Sequence, residues 1–225
     1  EMTMGDWSSD VCSSDLGGLG REIAEVVQRI NKRHYIWNFL GFVDDSFRPG
    51  PIWQTYKILG GIDFIRDFQG SLDVVLGICV PQVKKKLCEE LERLSHVNLP
   101  NIIDPTAEIT DPAGLGDGTV IFPMCFVSVN VTLGRCVYLN TGAYIAHDSF
   151  VGDFSSIMPH SSISGNVHIG EETLIGAGAS ILQGRTVGAR STVGMGGVVI
   201  RDVPDGCTVV GNPARTDYGD RKSVV

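Results

Sequence analysis

Residues 139–181 read LNTGAYIAHDSFVGDFSSIMPHSSISGNVHIGEETLIGAGASI, and an aliphatic side chain returns at every sixth position: Leu139, Ile145, Val151, Ile157, Ile163, Ile169, Ile175 and Ile181. The same step extends back through Leu133, Val127, Ile121, Leu115 and Ile109 to Ile103, and forward through Val187 and Val193 to Val199. An unbroken six-residue period of this length is the signature of a parallel β-helix built from hexapeptides. Four places after each aliphatic the residue is usually small, as at Ala107, Ala113, Thr119, Ala143, Ser149, Ser155, Ser161, Thr173, Ala179 and Ser191. A second period of eighteen links Gly116, Gly134, Gly152, Gly170 and Gly188. Three hexapeptides therefore close one coil, and the cross-section is a triangular prism with coils about 4.8 Å apart. The glycines line one corner, where a backbone conformation awkward for other residues is expected. Such prisms usually associate side by side, and a homotrimer is the natural closed form.

The 225 residues, 43% of them apolar, suffice for two modest domains. A net charge of −8 and the lack of clustered cations exclude a nucleic-acid binder. Lys84, Lys85 and Lys86 form the one basic run, expected on a solvated helix face. Six scattered cysteines without a CxxC pair read as reduced thiols. No apolar run reaches the length of a membrane span, and no signal-peptide pattern opens the chain, so a cytoplasmic location is expected.

Ahead of the prism the pattern changes. GGLGREIAEVV (17–27) reads as a glycine loop opening a helix to about Lys32, and YIWNFLGFVDD (35–45) as a buried strand ending in two carboxylates. Further strands are expected at 58–60 and 72–78, with helices over 61–68 and 81–94, the latter presenting Val83, Leu87, Leu91 and Leu94 on one face. Alternating strands and helices give a Rossmann-like parallel α/β unit over 17–98, followed by the β-helix over 99–215. Gly17, Gly18 and Gly20 could cradle a phosphate or simply pack a helix on a strand. Asp44 and Asp45 could bind a hydroxylated ligand or cap a turn.

Asp6–Leu16 (DWSSDVCSSDL) and Asp220–Val225 (DRKSVV) resemble reading frames of the two halves of a sequencing adapter. Segments 1–16 and 216–225 are therefore expected to be foreign to the fold. The strand that ordinarily precedes a glycine loop is expected to be missing, since 6–16 show no hydrophobic periodicity.

Polar residues that interrupt the repeat mark the chemistry. His147 lies two places after Ile145, an outward position, and Gly165 lies one coil further on. An imidazole beside a backbone N–H can hold a carbonyl next to a base. Asp148 could fix the imidazole tautomer.

The segments GGLGRE, GFVDD, NTGAYIAHDSFVGDFSSI, IGAGASIL and GNPAR resemble the hexapeptide sugar acetyltransferases, among them the bacterial UDP-4-amino-sugar N-acetyltransferases and the sialic acid O-acetyltransferases. The resemblance runs from Gly17 to Arg215 and implies left-handed winding. It also implies a nucleotide-sugar held by the α/β domain, touching Gly17, Gly18, Gly20, Asp44 and Asp45. Acetyl-CoA would lie between subunits of a trimer, with direct transfer and no metal. By position, His147 matches the family's base, Asp148 its acidic partner and Asn140 a polar residue near the reacting centre. Gly165 matches the amide that binds the acetyl carbonyl. Coenzyme contacts are implied at Ser156, Gly176, Ala177, Gly178, Gly194, Gly211, Asn212, Pro213, Ala214 and Arg215. Ser156 stands where the family commonly has a second histidine, and His160 is one face-step away.

Three other functions compete. A serine-type O-acetyltransferase usually lacks the α/β domain, and a non-catalytic scaffold would not need His147 in register with Gly165. A γ-type carbonic anhydrase needs three histidines converging on zinc, which the positions of His147, His160 and His168 do not provide.

Overall fold

The computed structural model describes residues 9–15, 17–46, the backbone of 50–51, and 56–216. The first part is a six-stranded sheet with helices against it. Its elements are β1 (Ser9–Ser13), α1 (Gly18–Arg33), β2 (Trp37–Val43), β3 (Gly50–Pro51), β4 (Lys57–Gly60), α2 (Ile62–Asp67), β5 (Leu72–Val75), α3 (Pro81–Leu91) and β6 (Val97–Asn98). The strand order is β3-β4-β2-β1-β5-β6, parallel except for the β3–β4 pair.

The strand expected to be missing is present. β1 occupies the central slot between β2 and β5, pairing Val11 with Phe39 and Asp73. Its short run SDVCS carries only two apolar residues, too few for alternation to register in the sequence, yet Val11 and Cys12 are both fully buried. A central strand must satisfy backbone groups on both sides, and Val11–Ser13 do so here, with Ser9 and Asp10 paired to β2 alone. Residues 1–8, Leu16 and 217–225 lie outside the described residues. Thr216, assigned to the tail, pairs in a terminal two-residue strand with Val209.

Two expectations about α3 are corrected. Its buried residues are Pro81, Lys84, Cys88 and Leu91, while Val83 is 49% exposed. At 100° per residue, positions 81, 84, 88 and 91 share the face turned to the prism. Lys84 is therefore 2% exposed and not part of a solvated basic face.

The second part is the prism, a left-handed parallel β-helix. From β7 (Ile102–Ile103) to β23 (Val198–Val199), two-residue strands follow at six-residue intervals, each ending on the periodic aliphatic. Partners are eighteen residues apart, as in Ile121↔Leu139 and Ile145↔Ile163. The first face holds Ile103, Ile121, Leu139, Ile157, Ile175 and Val193, the second Ile109 to Val199, the third Leu115 to Val187. From Ile121 onward these side chains are essentially inaccessible to solvent and form one core column. The small residues fill the corners. Ser149, Ser155, Ser161 and Thr173 are buried and donate their hydroxyls to the carbonyls of Ser164, Gly170, Gly176 and Gly188.

The glycine column serves close approach, not unusual torsion. None of Gly116, Gly134, Gly152, Gly170 and Gly188 has positive φ. A Cβ on Gly170 would instead stand 2.4 Å from the Ala189 nitrogen of the next coil, and one on Gly152 2.5 Å from that of Glu171. The left-handed residues sit two positions later, at Cys136, Phe154, Glu172 and Arg190.

The α/β unit covers the lower part of the first face. Lys84 Nζ donates to Ser155 O at 3.1 Å and to Ser156 Oγ at 3.0 Å, and Arg29 meets the buried Asp104 at 2.9 Å.

Candidate functional site

His147 stands on the corner between the second and third faces, in the turn joining Tyr144–Ile145 to Phe150–Val151. Its Nδ1 lies 2.8 Å from Asp148 Oδ2, so the ring donates Nδ1–H to the carboxylate and leaves the Nε2 lone pair outward. Asp148 adopts φ +59°, a left-handed turn that Asp tolerates. One coil below, Asn130 Nδ2 donates to Asp148 Oδ1 at 3.0 Å. The His147 hydrogen bond first, and the Asn130 bond second, hold the Asp148 carboxyl below its ordinary pKa.

One coil above, the imidazole lies against Gly165. A Cβ there would come within 2.5 Å of His147 Cε1 and 2.6 Å of Nε2. Neighbouring bonds pin this corner: Asn166 N–H donates to His147 O at 2.8 Å, and Ser149 Oγ donates to Ser164 O at 3.0 Å. Gly165 N–H itself has no acceptor among the described residues. Asn130 lies eighteen residues before Asp148 but interrupts no pattern in the sequence, and Ser149 enters it only as a small corner residue.

The other expected residues occupy a different edge. Asn140 is on the corner between the first and second faces, its Oδ1 accepting Thr141 N–H at 2.7 Å. His160 lies on the same corner one coil above Gly142, whose Cβ would meet its Nδ1 at 2.5 Å. Gly176, Ala177, Gly178 and Gly194 continue this edge. Gly176, Ala177 and Gly194 border an apolar crevice of about 300 Å³ with Cys79, Val80, Met158, Leu174 and Met195. Residues 211–214 cap the edge in a largely exposed turn containing a cis Asn212–Pro213 bond, and Arg215 opens the terminal strand. One chain thus brings together His147, Asp148 and Gly165, but not Asn140. His168 is on neither edge: it stacks on Phe150 on the third face at 4.7 Å.

Ser156 does not fit the coenzyme contact expected of it. It points from the first face under α3, is fully buried, and accepts the Lys84 hydrogen bond.

At the sheet edge, Ser14, Asp15, Asp44, Asp45 and Ser46 line a cleft of about 270 Å³ with Val43, Ile62 and Ile78. Gly17 N–H donates to Asp15 Oδ1 at 2.8 Å at the start of α1. Gly18 begins the helix, and Gly20 is packed tightly, its Cβ position 1.7 Å from Asp15 O. Asp44 Oδ1 accepts Ser46 N–H, and Asp45 Oδ1 accepts Ile62 N–H at the head of α2. Both carboxylates therefore shape turns beside the cleft.

Comparison with known proteins agrees with this architecture. Residues 16–91 match the PglD N-terminal domain family and residues 148–183 the bacterial transferase hexapeptide (six repeats) family. The chain is 31% identical over 205 residues to the GDP-perosamine N-acetyltransferase of Escherichia coli O157:H7, covering 88% of this chain and 92% of that protein. The acetyltransferase domain of PglB from Neisseria gonorrhoeae FA1090, solved also with acetyl coenzyme A, superposes with a TM-score of 0.87 at 29% identity, over 93% of this chain and 100% of that one. PerB from Caulobacter crescentus, in complex with CoA and GDP-perosamine, gives 0.83 at 26% identity, over 93% and 97%.

Proposed function

Because the chain belongs to the hexapeptide-repeat sugar acetyltransferases, we propose that it moves an acetyl group from acetyl-CoA to the amine of a nucleotide-activated amino sugar. The observation that carries this reading is the His147 imidazole, oriented by Asp148 and lying against the backbone of Gly165. Acetyl-CoA supplies a thioester whose carbonyl is open to attack by an amine. His147 Nε2 takes the proton released as the new C–N bond forms, and the Gly165 N–H faces the carbonyl oxygen as charge gathers there. The C–S bond breaks, coenzyme A leaves as its thiolate, and the proton held by His147 is available to it.

The glycine loop and Asp44 are proposed to hold the nucleotide-sugar, since the cleft at the α1 N-terminus offers backbone donors and carboxylates for phosphate and hydroxyl groups. The edge running from Asn140 through Gly176, Ala177, Gly178 and Gly194 to Gly211–Arg215 is proposed to carry acetyl-CoA.

A homotrimer is proposed because the residues expected at one reacting centre lie on two different edges. They flank the second face, which presents the stacked Phe126 and Tyr144, the latter 42% exposed. Met124 and Met195 on one edge, and Leu182 and Ile200 on the other, are also exposed. Packing three second faces around an axis would set Asn140 of one subunit opposite His147 of the next. We place the enzyme in the cytoplasm, which fits six cysteines that are all free thiols.

The test is acetyl transfer from acetyl-CoA to GDP-perosamine and other nucleotide-linked amino sugars, read as thiol release. Co-expressed His147→Ala and Asn140→Ala chains should regain activity in mixed trimers if the site is shared. Loss in both variants without recovery in the mixture contradicts the shared site, and no transfer to any amino sugar contradicts the acceptor class.

A further inference from the structure

Cys88 on α3 and Cys136 on the prism bring their sulfurs to 3.4 Å across the junction between the two domains. Both are buried, and neither touches the edges assigned to acetyl transfer. The surroundings hold them in place. Lys84, one turn before Cys88, is anchored on Ser155 and Ser156. Arg135, next to Cys136, reaches back to Glu92 at 2.6 Å, and Glu92 Oε1 lies 3.6 Å from Cys88 Sγ.

We infer that Cys88 and Cys136 are a modification site, a thiol pair that a peroxide-class oxidant converts into a disulfide joining the α/β unit to the β-helix. The sulfurs already touch, and a bond of about 2.05 Å requires a further approach of only about 1.4 Å. The reactive member is Cys136. The S–H hydrogen bond from Cys88 first, helped by the Arg135 guanidinium, lowers its pKa against the opposing effect of burial. The same hydrogen bond, with burial, pushes the Cys88 thiol up and keeps it protonated. A cleft lined by Leu91, Glu92, Val97, Asn98, Leu99 and Asp117 opens beside the pair and offers small oxidants a route. Two of its residues touch the cysteines directly, Glu92 at Cys88 and Asp117 through its carbonyl at Cys136 N–H.

The chemistry closes with two electrons. The Cys136 thiolate attacks one oxygen of hydrogen peroxide, the O–O bond breaks, and hydroxide leaves, giving a sulfenic acid. The Cys88 sulfur then attacks that sulfur, its proton leaves with the departing hydroxyl as water, and the S–S bond forms. Two thiols and one peroxide become one disulfide and two waters. The bond ties residues 48 apart in sequence, constrains the unfolded chain and locks α3 to the coil.

The test uses the full chain treated with hydrogen peroxide, then alkylated and mapped by peptide mass spectrometry without reductant. The expected result is a linked peptide containing Cys88 and Cys136, an intact mass lower by two hydrogens, and a higher melting temperature reversed by dithiothreitol. Cys88→Ser and Cys136→Ser should each lose the linked peptide and the thermal shift. Should one variant misfold, the other and the wild-type peptide map still decide. Persistence of both free thiols, a sulfinic acid at Cys136 without the linked peptide, or a bridge to another cysteine would each overturn the assignment. None of these readouts depends on acetyl transfer.

Discussion

The imidazole of His147 and the backbone of Gly165 are packed so closely across adjacent coils that no side chain fits between them: a Cβ on Gly165 would stand 2.5 Å from His147 Cε1. The eighteen-residue register produces this contact directly, and it makes Gly165 a probe of the site separate from the histidine.

Gly165→Ala should therefore push the ring off its position. A displacement of about 1 Å at a reacting group can cost about 100-fold in rate. The expected outcome is a fall in kcat of that order with little change in melting temperature, because the ring is at an exposed corner and can swing into solvent. Steady-state kinetics beside a thermal melt measure both. A variant with full kcat would separate Gly165 from the chemistry.

Asp148 tests orientation. Asp148→Asn keeps a residue that tolerates φ +59° and the link to Asn130, but removes the charged acceptor for Nδ1–H. The expected loss in kcat is about 10- to 100-fold, smaller than for a buried triad carboxylate because Asp148 is solvated. KM for acetyl-CoA should stay near the wild-type value. Asp148→Ala should behave alike in rate but melt at a lower temperature, since alanine pays a steric penalty in the left-handed region.

The two kinds of glycine should differ in stability. Gly170→Ala drives a Cβ into the backbone of the next coil and should destabilise by about 2–4 kcal/mol. Gly178→Ala has open space but φ +67°, so the expected cost is about 1 kcal/mol. Chemical denaturation of the two variants gives the comparison, and equal losses would contradict the distinction between close approach and torsion.

Lys84 gives the fold a pH dependence. Desolvation lowers its pKa from 10.5 to about 7, with nearby cysteines opposing the shift. Between those two values the unfolded chain carries a proton that the folded chain lacks, so unfolding takes up a proton. Stability from this group therefore rises with pH across the window, at up to about 1.4 kcal/mol per pH unit. Relative to Lys84→Met, the wild-type protein should gain stability as pH increases from 7 toward 10. A difference independent of pH would contradict the assignment.

The prism was legible in the sequence because each hexapeptide spends one position on a core aliphatic, and no other architecture demands that period. The same register located Gly165 beside His147, while Asp148 simply follows it in the chain. It could not show which edge Asn140 shares, because a count along the chain does not say which face meets a neighbour. Lys84 was misread since a run of three lysines looks solvated until one of them is turned under the helix. Ser156 is linked to the coenzyme by the family resemblance alone, and the resemblance does not show that α3 covers it. β1 escaped notice because pairing on both sides, not its own apolar content, holds it in the sheet. The corner glycines were recognised by spacing, but their cause is the backbone of the adjacent coil, which a single chain trace in sequence does not contain.

The central claim is that His147 is the base. Turnover of His147→Ala with acetyl-CoA and the best nucleotide-linked amino sugar, measured together with acetyl-CoA binding by calorimetry, tests it most directly. The account predicts kcat lower by about 10²–10⁴-fold with coenzyme affinity retained. A variant that binds acetyl-CoA and turns over at the wild-type rate would contradict it.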